Sequence, residues 1–321
     1  MIATATLAGY DAVENGVALA DASRHGRIRL TQRDRADLLH RLSTNDIAGL
    51  TPGMGRRTVM VNHNARILDL LTVYHLPEHL LVETQPGQAA ALVQLLRRNI
   101  FFRDQVRVED VTATTVQRML YGPQAAALLS KLTSLEVADW PLHHIQAVRI
   151  GSQAAWLARS LPLGGDGWSI FAEDAAWNEM AAAFADVPVL DDGTLAVLRI
   201  EAGYPAWGSE LSVEYIPLET RLTDAVSFTK GCYVGQEIIA RMDSRQRLAK
   251  QLMVLRPAAP VETPTPLTLN GKDQGTFTSL AESPRHGLIG LGYVRTAHAH
   301  AGVKLMAGDI ELEVGELPQH G

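Results

Sequence analysis

The segment Lys230–Glu237, with the sequence Lys-Gly-Cys-Tyr-Val-Gly-Gln-Glu, holds the densest group of residues that could do chemistry. Two glycines four positions apart flank Cys232 and Tyr233, and glycine allows the positive φ angles that present a side chain at the edge of a cleft. Lys230 lies two residues before the thiol, where a positive charge favours the thiolate. The other interpretation is an inert cysteine buried at a tight turn, because free cysteine is commonly buried.

Cys232 is the only cysteine in the chain of 321 residues. An internal disulfide is therefore excluded, and one thiol cannot hold a metal ion or an iron–sulfur cluster alone. We predict no metal site. His298-Ala299-His300 lacks a third ligand at suitable spacing, and His143-His144 directly follows Trp140-Pro141. Both histidine pairs are predicted to lie in loops without a functional role.

The composition indicates a folded chain, because 46% of the residues are hydrophobic and 20% are charged. A net charge of −6 does not favour a protein that coats nucleic acid, since binding to polyphosphate needs a basic surface. We find no basic stretch followed by a long apolar run near the N-terminus and no apolar segment long enough to span a bilayer. We expect neither a nucleic-acid nor a membrane partner, and a cytoplasmic location.

The order strand, turn, strand, helix occurs twice in the first two thirds of the chain. The elements predicted are strands over 66–75 and 80–83 with a helix after Pro86-Gly87, and strands over 154–160 and 168–172 with a helix over 174–184. A separate helix over 31–45 is predicted from the capping-box spacing of Thr31 and Asp34. This order suits an α+β fold with antiparallel sheets. No Gly-x-Gly-x-x-Gly or Walker pattern indicates a nucleotide site.

A third unit is predicted to begin near Leu248. Four prolines between 257 and 266 argue against a helix there. Short apolar runs follow, and Asn270-Gly271 is a strong signal for a hairpin turn. These features predict a small antiparallel β-barrel. We therefore divide the chain into residues 1–247, with two interwoven α+β subdomains, and a barrel domain of residues 248–321.

Lys230–Glu237 matches at all eight positions the signature K-G-C-[FY]-x-G-Q-E of the YgfZ family, which is related to the T-protein, the aminomethyltransferase of the glycine cleavage system. Weaker matches are Leu42 to Asp46, Asn62 to Asp69, Arg199 to Pro205 with Trp207-Gly208, Pro217 to Glu219, Thr278-Ser279, Ser283-Pro284 and Leu291 to Arg295. The chain thus resembles the YgfZ-like branch of the YgfZ/GcvT folate-binding superfamily. Ala65 stands where the family usually has glycine, which puts the hairpin conformation in doubt, and Ser43 replaces a threonine.

The resemblance implies two ferredoxin-like, antiparallel-sheet subdomains around a central cavity for tetrahydrofolate or a one-carbon derivative of it. The pterin edge presents paired N–H donors that a carboxylate can accept in a bidentate way. Glu201 matches the family's carboxylate for this edge, and Asp69 matches the aspartate near the reactive folate nitrogens. The alternatives are a surface glutamate that pairs with Arg199 and an aspartate at a strand end.

Other folate contacts are also implied by the resemblance. Tyr204, Trp207 and Tyr233 are candidates for the walls around the aminobenzoyl ring, although each is also a plausible core residue. Arg241 or Lys230 could meet the anionic glutamate tail. These contacts complete the expected binding site.

The catalytic candidates are Cys232, Lys230 and Asp69. In the function that the resemblance implies, Cys232 is the reactive thiol of a tetrahydrofolate-binding accessory factor in iron–sulfur cluster assembly or repair. Lys230 would tune the thiol, and Gln236, also a candidate folate contact, would fix the loop together with Glu237. Expected partners are folate and iron–sulfur proteins or their assembly factors. The alternatives are a folate-dependent aminomethyltransferase or other one-carbon transferase, and a non-catalytic folate sensor.

Overall fold

The structure, a computed structural model, describes residues 2–245 and 247–318. Its strands are β1 (Ala3–Thr4), β2 (Ala18–Asp21), β3 (His25–Thr31), β4 (Gly55–Val61), β5 (Ile67–His75), β6 (Leu80–Pro86), β7 (Arg107–Asp110), β8 (Thr115–Tyr121), β9 (Ile145–Ile150), β10 (Gln153–Arg159), β11 (Gly167–Glu173), β12 (Lys250–Pro257), β13 (Thr265–Leu269), β14 (Lys272–Ser283), β15 (Gly287–Arg295), β16 (Lys304–Ala307) and β17 (Ile310–Gly315). Its α-helices are α1 (Leu7–Asn15), α2 (Arg35–Leu42), α3 (Ala89–Arg98), α4 (Ala125–Thr133), α5 (Asp174–Met180), α6 (Asp192–Glu201) and α7 (Gln236–Arg245). No helix in this part of the chain is long and apolar enough to cross a membrane.

Two five-stranded antiparallel sheets have the same strand plan. The first has the order β4-β5-β6-β3-β7 and the second the order β9-β10-β11-β8-β2. Buried leucines and a valine of α2 and α3 pack on the first sheet, and Leu129 of α4 with Trp177 and Met180 of α5 pack on the second. The structure thus confirms the predicted repetition of strand, turn, strand and helix. The ferredoxin-like description of each half stays a prediction.

Two strands near the N-terminus pair with sheets formed by later parts of the chain. β2 precedes the strands of the first sheet in the chain but pairs with β8 of the second sheet. β1 pairs in parallel with β14, which places residues from the N-terminus beside the C-terminal sheet. The division at residue 248 stays a prediction, and these pairings show that strands near the N-terminus join all three layers.

The C-terminal strands form a closed barrel, as predicted. The ring runs β14-β13-β16-β17-β12-β15 and closes by pairing β15 with β14. Asn270 and Gly271 form the β13–β14 turn with φ angles of 52° and 73°, both in the left-handed region. Such a turn requires two positive φ angles, and this explains why Asn-Gly predicted it correctly.

The helix predicted over 31–45 is shorter, and the predicted cap is wrong. Thr31 ends β3, where it pairs with Arg107, so it cannot cap a helix. Asp34 is the N-cap of α2 but accepts no capping hydrogen bond through its side chain. The helix predicted over 174–184 ends at Met180 and continues as one 3₁₀ turn.

α6 joins the barrel to the rest of the protein through a buried ion pair. Arg199 Nη1 lies 3.0 Å from Glu210 Oε2, and the Glu210 side chain is fully buried. The hydroxyls of Thr278 and Ser279, both on β14, donate to Glu210 Oε1 at 2.6 Å. The amide of Ala206 also donates to Glu210, at 3.0 Å. One carboxylate therefore holds the helix, the loop that follows it and the barrel wall.

Replacing Glu210 should test how strongly this carboxylate holds the fold. We expect Glu210→Ala to lower the free energy of unfolding by about 3–5 kcal/mol, because it leaves a partly buried guanidinium and two hydroxyls without their acceptor. Denaturant unfolding would measure the change. The matched control Glu214→Ala removes an exposed carboxylate four residues away and should leave stability nearly unchanged. Equal stability of the two variants would contradict the assignment.

Candidate functional site

A cavity of about 480 Å³ lies between the two five-stranded sheets and is closed by α6 and the loop that follows it. Its wall includes Leu70, Tyr74, Glu83 and Gln85 of the first sheet, Ala20, Met119 and Tyr121 of the second, Leu195 and Arg199 of α6, and Tyr204 and Trp207 of the loop. Aromatic and aliphatic side chains around a few polar groups are typical of sites for small organic ligands.

Glu83, in the middle of β6, is the largely buried carboxylate in the wall of this cavity, whereas Asp21 and Asp192 at its edge are exposed. Strand alternation directs Leu81, Glu83 and Gln85 to one side of the sheet. The Glu83 side chain is 13% exposed. Its Oε1 accepts a hydrogen bond of 2.8 Å from Gln117 Nε2 on β8 and lies 3.3 Å from His25 Nδ1 on β3. Glu83 therefore connects the two sheets across the cavity.

The surroundings of Glu83 keep it ionised. Burial by itself would raise the pKa of Glu83, but the His25 and Gln117 contacts outweigh it and hold the pKa below its ordinary value. Both contacts are made by Oε1. The cavity thus contains an anionic acceptor at neutral pH.

Asp69 is a carboxyl in the opposite ionisation state. It lies on β5, is 3% exposed, and accepts a hydrogen bond of 3.2 Å at Oδ1 from the amide of Gln85. Its Oδ2 is buried with no hydrogen-bond partner. Burial raises the pKa of Asp69 to about 8, although the backbone amides of Gln85 and Leu70 oppose the shift. Asp69 is therefore mostly protonated at pH 7.

Asp69 reaches a second cavity that adjoins the first. This cavity of about 410 Å³ lies between β5 and α3, and its wall includes Asp69, Leu95 and Arg98. Trp207 borders both cavities, and Gln85, which donates its amide to Asp69, borders the central one. The neutral carboxyl is thus placed in the partition between two spaces.

The structure brings only some of the predicted site residues together. Tyr204 and Trp207 line the central cavity, and the Tyr204 hydroxyl donates to the carbonyl of Pro162 at 3.1 Å. Asp69 adjoins it. The remaining candidates lie outside the wall of the central cavity.

Glu201 does not line the central cavity, and the folate contact expected of it stays a prediction. The Tyr10 hydroxyl donates to Glu201 Oε1 and Oε2 at 2.9 and 3.0 Å, and the Ser283 hydroxyl donates to Oε1. These contacts fasten α1 and the barrel to the end of α6. The alternative interpretation needs correction, because Arg199 pairs with Glu210 rather than with Glu201.

Lys230 joins the octet to the end of α2. Its ammonium group donates to the carbonyls of Ser43 and Asn45 at 2.7 and 2.8 Å, and to the carbonyl of His40. Burial lowers the pKa of Lys230 to about 8. The Lys230 ammonium group was expected to tune Cys232, but it is hydrogen-bonded to these carbonyls. The Cys232 side chain is exposed and lines neither cavity.

The rest of the octet packs on the β4–β5 hairpin. Tyr233 is buried in a small apolar cluster with Ala65 and Ile239, and so lies outside the wall of the central cavity. A Cβ added at Gly235, whose φ is 79°, would lie 2.8 Å from the carbonyl oxygen of Asn62 and 3.1 Å from Ala65 Cα. Glycine is therefore required at 235 for both its conformation and this close approach.

Ala65 keeps the left-handed conformation that the family's glycine would adopt. Its φ is 57° and its amide donates to the Asn62 carbonyl at 2.8 Å. The hairpin is thus retained at a conformational cost of about 1–2 kcal/mol. Gln236 and Arg241 lie on α7, and neither lines the central cavity.

Sequence reasoning missed most residues of the cavity wall, including the titratable side chains of His25, Arg57, Glu83 and His143. Glu83 and Gln85 could have been found, because two polar residues alternate with apolar ones in a strand that is otherwise buried. His143 was predicted to lie in a loop without a function. It does lie in a loop, but it lines the cavity.

Comparison with known proteins places the chain in a family. The GCVT N-terminal domain model matches residues 2–230. The chain belongs to this family, within the GcvT/YgfZ folate-binding superfamily. It is 32% identical over 96% of its length, and 72% of the relative's, to At1g60990, a chloroplastic Arabidopsis thaliana protein whose name marks it provisionally as a transferase.

Other relatives bear the name aminomethyltransferase. The one from Thermus thermophilus is 30% identical over 88% of this chain and 81% of its own length. The solved aminomethyltransferase T of the Bartonella henselae glycine cleavage system superposes with a TM-score of 0.86, covering 97% of this chain and 88% of that one at 24% identity. That likeness shows a shared fold, including the C-terminal barrel.

The raised pKa of Asp69 predicts a specific pH dependence of stability. Between about pH 5 and 7 the folded protein keeps a proton on Asp69 that the unfolded chain has lost, so stability falls as pH rises. The free energy of unfolding of the wild type should therefore fall by about 1.4 kcal/mol per pH unit relative to Asp69→Asn. Denaturant unfolding at several pH values measures this slope. The exposed-site control Asp309→Asn should keep the wild-type slope, and a parallel course of wild type and Asp69→Asn would contradict the assigned protonation.

Proposed function

We propose that this protein is a tetrahydrofolate-dependent one-carbon transferase of the aminomethyltransferase type. The observation that carries the proposal is Asp69, a neutral buried carboxyl whose unpartnered Oδ2 lies in the wall of the second cavity, next to the central cavity that the ionised carboxylate of Glu83 faces. Two carboxyl groups kept in opposite protonation states are a common basis for acid–base chemistry. The names of the relatives supply the reaction class.

The cavity fits the parts of a folate. Its volume of about 480 Å³ lies within the range of small-molecule sites. Glu83 can accept the paired N–H donors of a pterin edge, a role that was expected of Glu201. Tyr74, Tyr204 and Trp207 provide aromatic walls.

Bound tetrahydrofolate would supply the N5 and N10 nitrogens that take up a one-carbon unit as a methylene bridge, with release of the donor's amine and of its carrier thiol. Asp69 can hold a proton at Oδ2 and give it to a group that leaves the carbon. Its apolar surroundings keep that proton in place until a stronger base is next to it. Glu83 stays ionised and orients the ligand.

An accessory role in iron–sulfur cluster assembly is the second candidate. It is favoured by the complete octet and by the exposure of Cys232. The names of the relatives favour the transferase instead. If Cys232→Ala restores iron–sulfur enzyme activity in a deficient strain as well as the wild type does, the thiol has no part in such a role.

A transfer assay decides between the proposed function and its rivals. We expect purified protein to convert tetrahydrofolate to the methylene form and release ammonia when supplied with an aminomethylated lipoyl carrier protein. Asp69→Asn should lower the rate by about 10²–10⁴-fold, the usual contribution of a positioned acid or base, while tetrahydrofolate still binds. Binding without turnover by the wild type would instead support a folate sensor.

The two candidate carboxylates give a matched pair of variants. Glu83→Gln removes the charge that faces the cavity and should weaken tetrahydrofolate binding by about 1.5–3 kcal/mol, the range for a hydrogen bond to a charged group. Glu201→Gln makes the same chemical change outside the cavity and should leave the affinity unchanged. Calorimetric titration measures both. Weaker binding by Glu201→Gln alone would restore the role first expected from the sequence.

A further inference from the structure

His143 has a strained backbone that its neighbours hold in place. Its φ is 64°, in the left-handed region that non-glycine residues rarely adopt. The His143 amide donates to the carbonyl of Arg159 at 2.9 Å, and the Arg159 amide donates to the carbonyl of His144 at 2.9 Å. The loop is thus fastened to the end of β10, and His143 is fixed there. Strain of this kind is often found at ligand sites, where it costs about 1–3 kcal/mol.

The His143 side chain lines the central cavity and is not satisfied there. Its Nδ1 is buried without a hydrogen-bond partner. An unpaired buried polar atom costs about 1–3 kcal/mol in the folded protein. Folding therefore bears two costs at one residue, the backbone strain and the unpaired Nδ1.

Burial makes His143 a neutral group. Burial, and then the charge of Arg57, lower its pKa to about 4, while the carboxylates of Asp224 and Glu83 oppose the shift. Arg57 is itself held by Asp224 in an ion pair of 2.7 Å. At neutral pH the imidazole can thus donate or accept one hydrogen bond without bringing a charge into the cavity.

His144 shows what a structural histidine looks like in the same loop. Its ring packs edge-to-face on Trp140 with 4.5 Å between ring centroids, and Trp140 packs in the same way on Trp168 in the core of the second sheet. His144 does not line the cavity. The two neighbouring histidines therefore have different surroundings, and each serves as a control for the other.

We propose that His143 is a substrate-binding residue whose neutral imidazole forms a hydrogen bond with an uncharged polar group of the bound folate. The strained loop fixes the position of the ring, and the ligand supplies the partner that Nδ1 lacks. His143 and Glu83 then hold two different parts of one ligand. This role rests on the proposed function and adds a residue that determines how the ligand is placed.

Calorimetric titration with tetrahydrofolate tests this role, together with thermal unfolding of each protein. His143→Gly removes the imidazole and suits a positive φ. We expect it to weaken binding about tenfold without a matching loss of Tm, because strain and an unpaired nitrogen are removed together with the ring. His143→Asn also tolerates this φ and can place a polar atom near the position of Nδ1, so it should recover part of the affinity.

His144→Ala is the matched control. It should lower Tm through the lost contact with Trp140 and leave the affinity within about twofold of the wild type, well under the 1.4 kcal/mol of a tenfold change. Wild-type binding with undiminished binding by His143→Gly would overturn the role of His143 alone. No binding of tetrahydrofolate by the wild type would overturn the proposed function and this role with it.

Discussion

The fully buried carboxylate of Glu210 is the constraint on which the rest of the structure depends. An ionised group can be buried only where opposite charge and hydrogen-bond donors replace its hydration. Arg199 and the Thr278 and Ser279 hydroxyls provide these, and they come from α6 and from the barrel. Because Arg199 also lines the central cavity, the shape of the site depends on how the barrel is attached. A domain with no part in the cavity wall could still affect binding through this pair.

Near the site, the surroundings of two carboxyl groups, Glu83 and Asp69, separate their protonation states. Glu83 is reached by an amide donor and a histidine, whereas Asp69 has only backbone amides at one oxygen and nothing at the other. Burial acts on both, so the difference comes from the partners. The result is an anion that can orient a ligand and a neutral acid that can move a proton, within one small region of the first half.

The octet packs against two other segments that carry the family resemblance, residues 42–46 and 62–69, outside the wall of the central cavity. Lys230 binds the carbonyls of residues 40–45, and Gly235 packs against the turn at residues 62–65. They fix the hairpin whose second strand, β5, carries Asp69. The octet is thus explained as support for the hairpin that carries Asp69, while the exposed side chain of Cys232 has no such contact to explain it.

The sequence by itself determined the repeated strand–turn–strand–helix plan, the barrel with its Asn270-Gly271 turn, and the GcvT/YgfZ superfamily, because these follow from local periodicity and from motifs. Only the tertiary structure decided which carboxylate faces the cavity. Glu201 and Glu83 are both polar residues in amphipathic elements, and no local pattern shows that Glu201 meets Tyr10 while Glu83 faces the opposite sheet. The sequence did not indicate a site role for His143 for the same reason, since its backbone strain and its unpaired Nδ1 depend on residues distant in the chain. Burial and pairing are properties of the assembled layers, so the chemistry of these groups emerges only after folding.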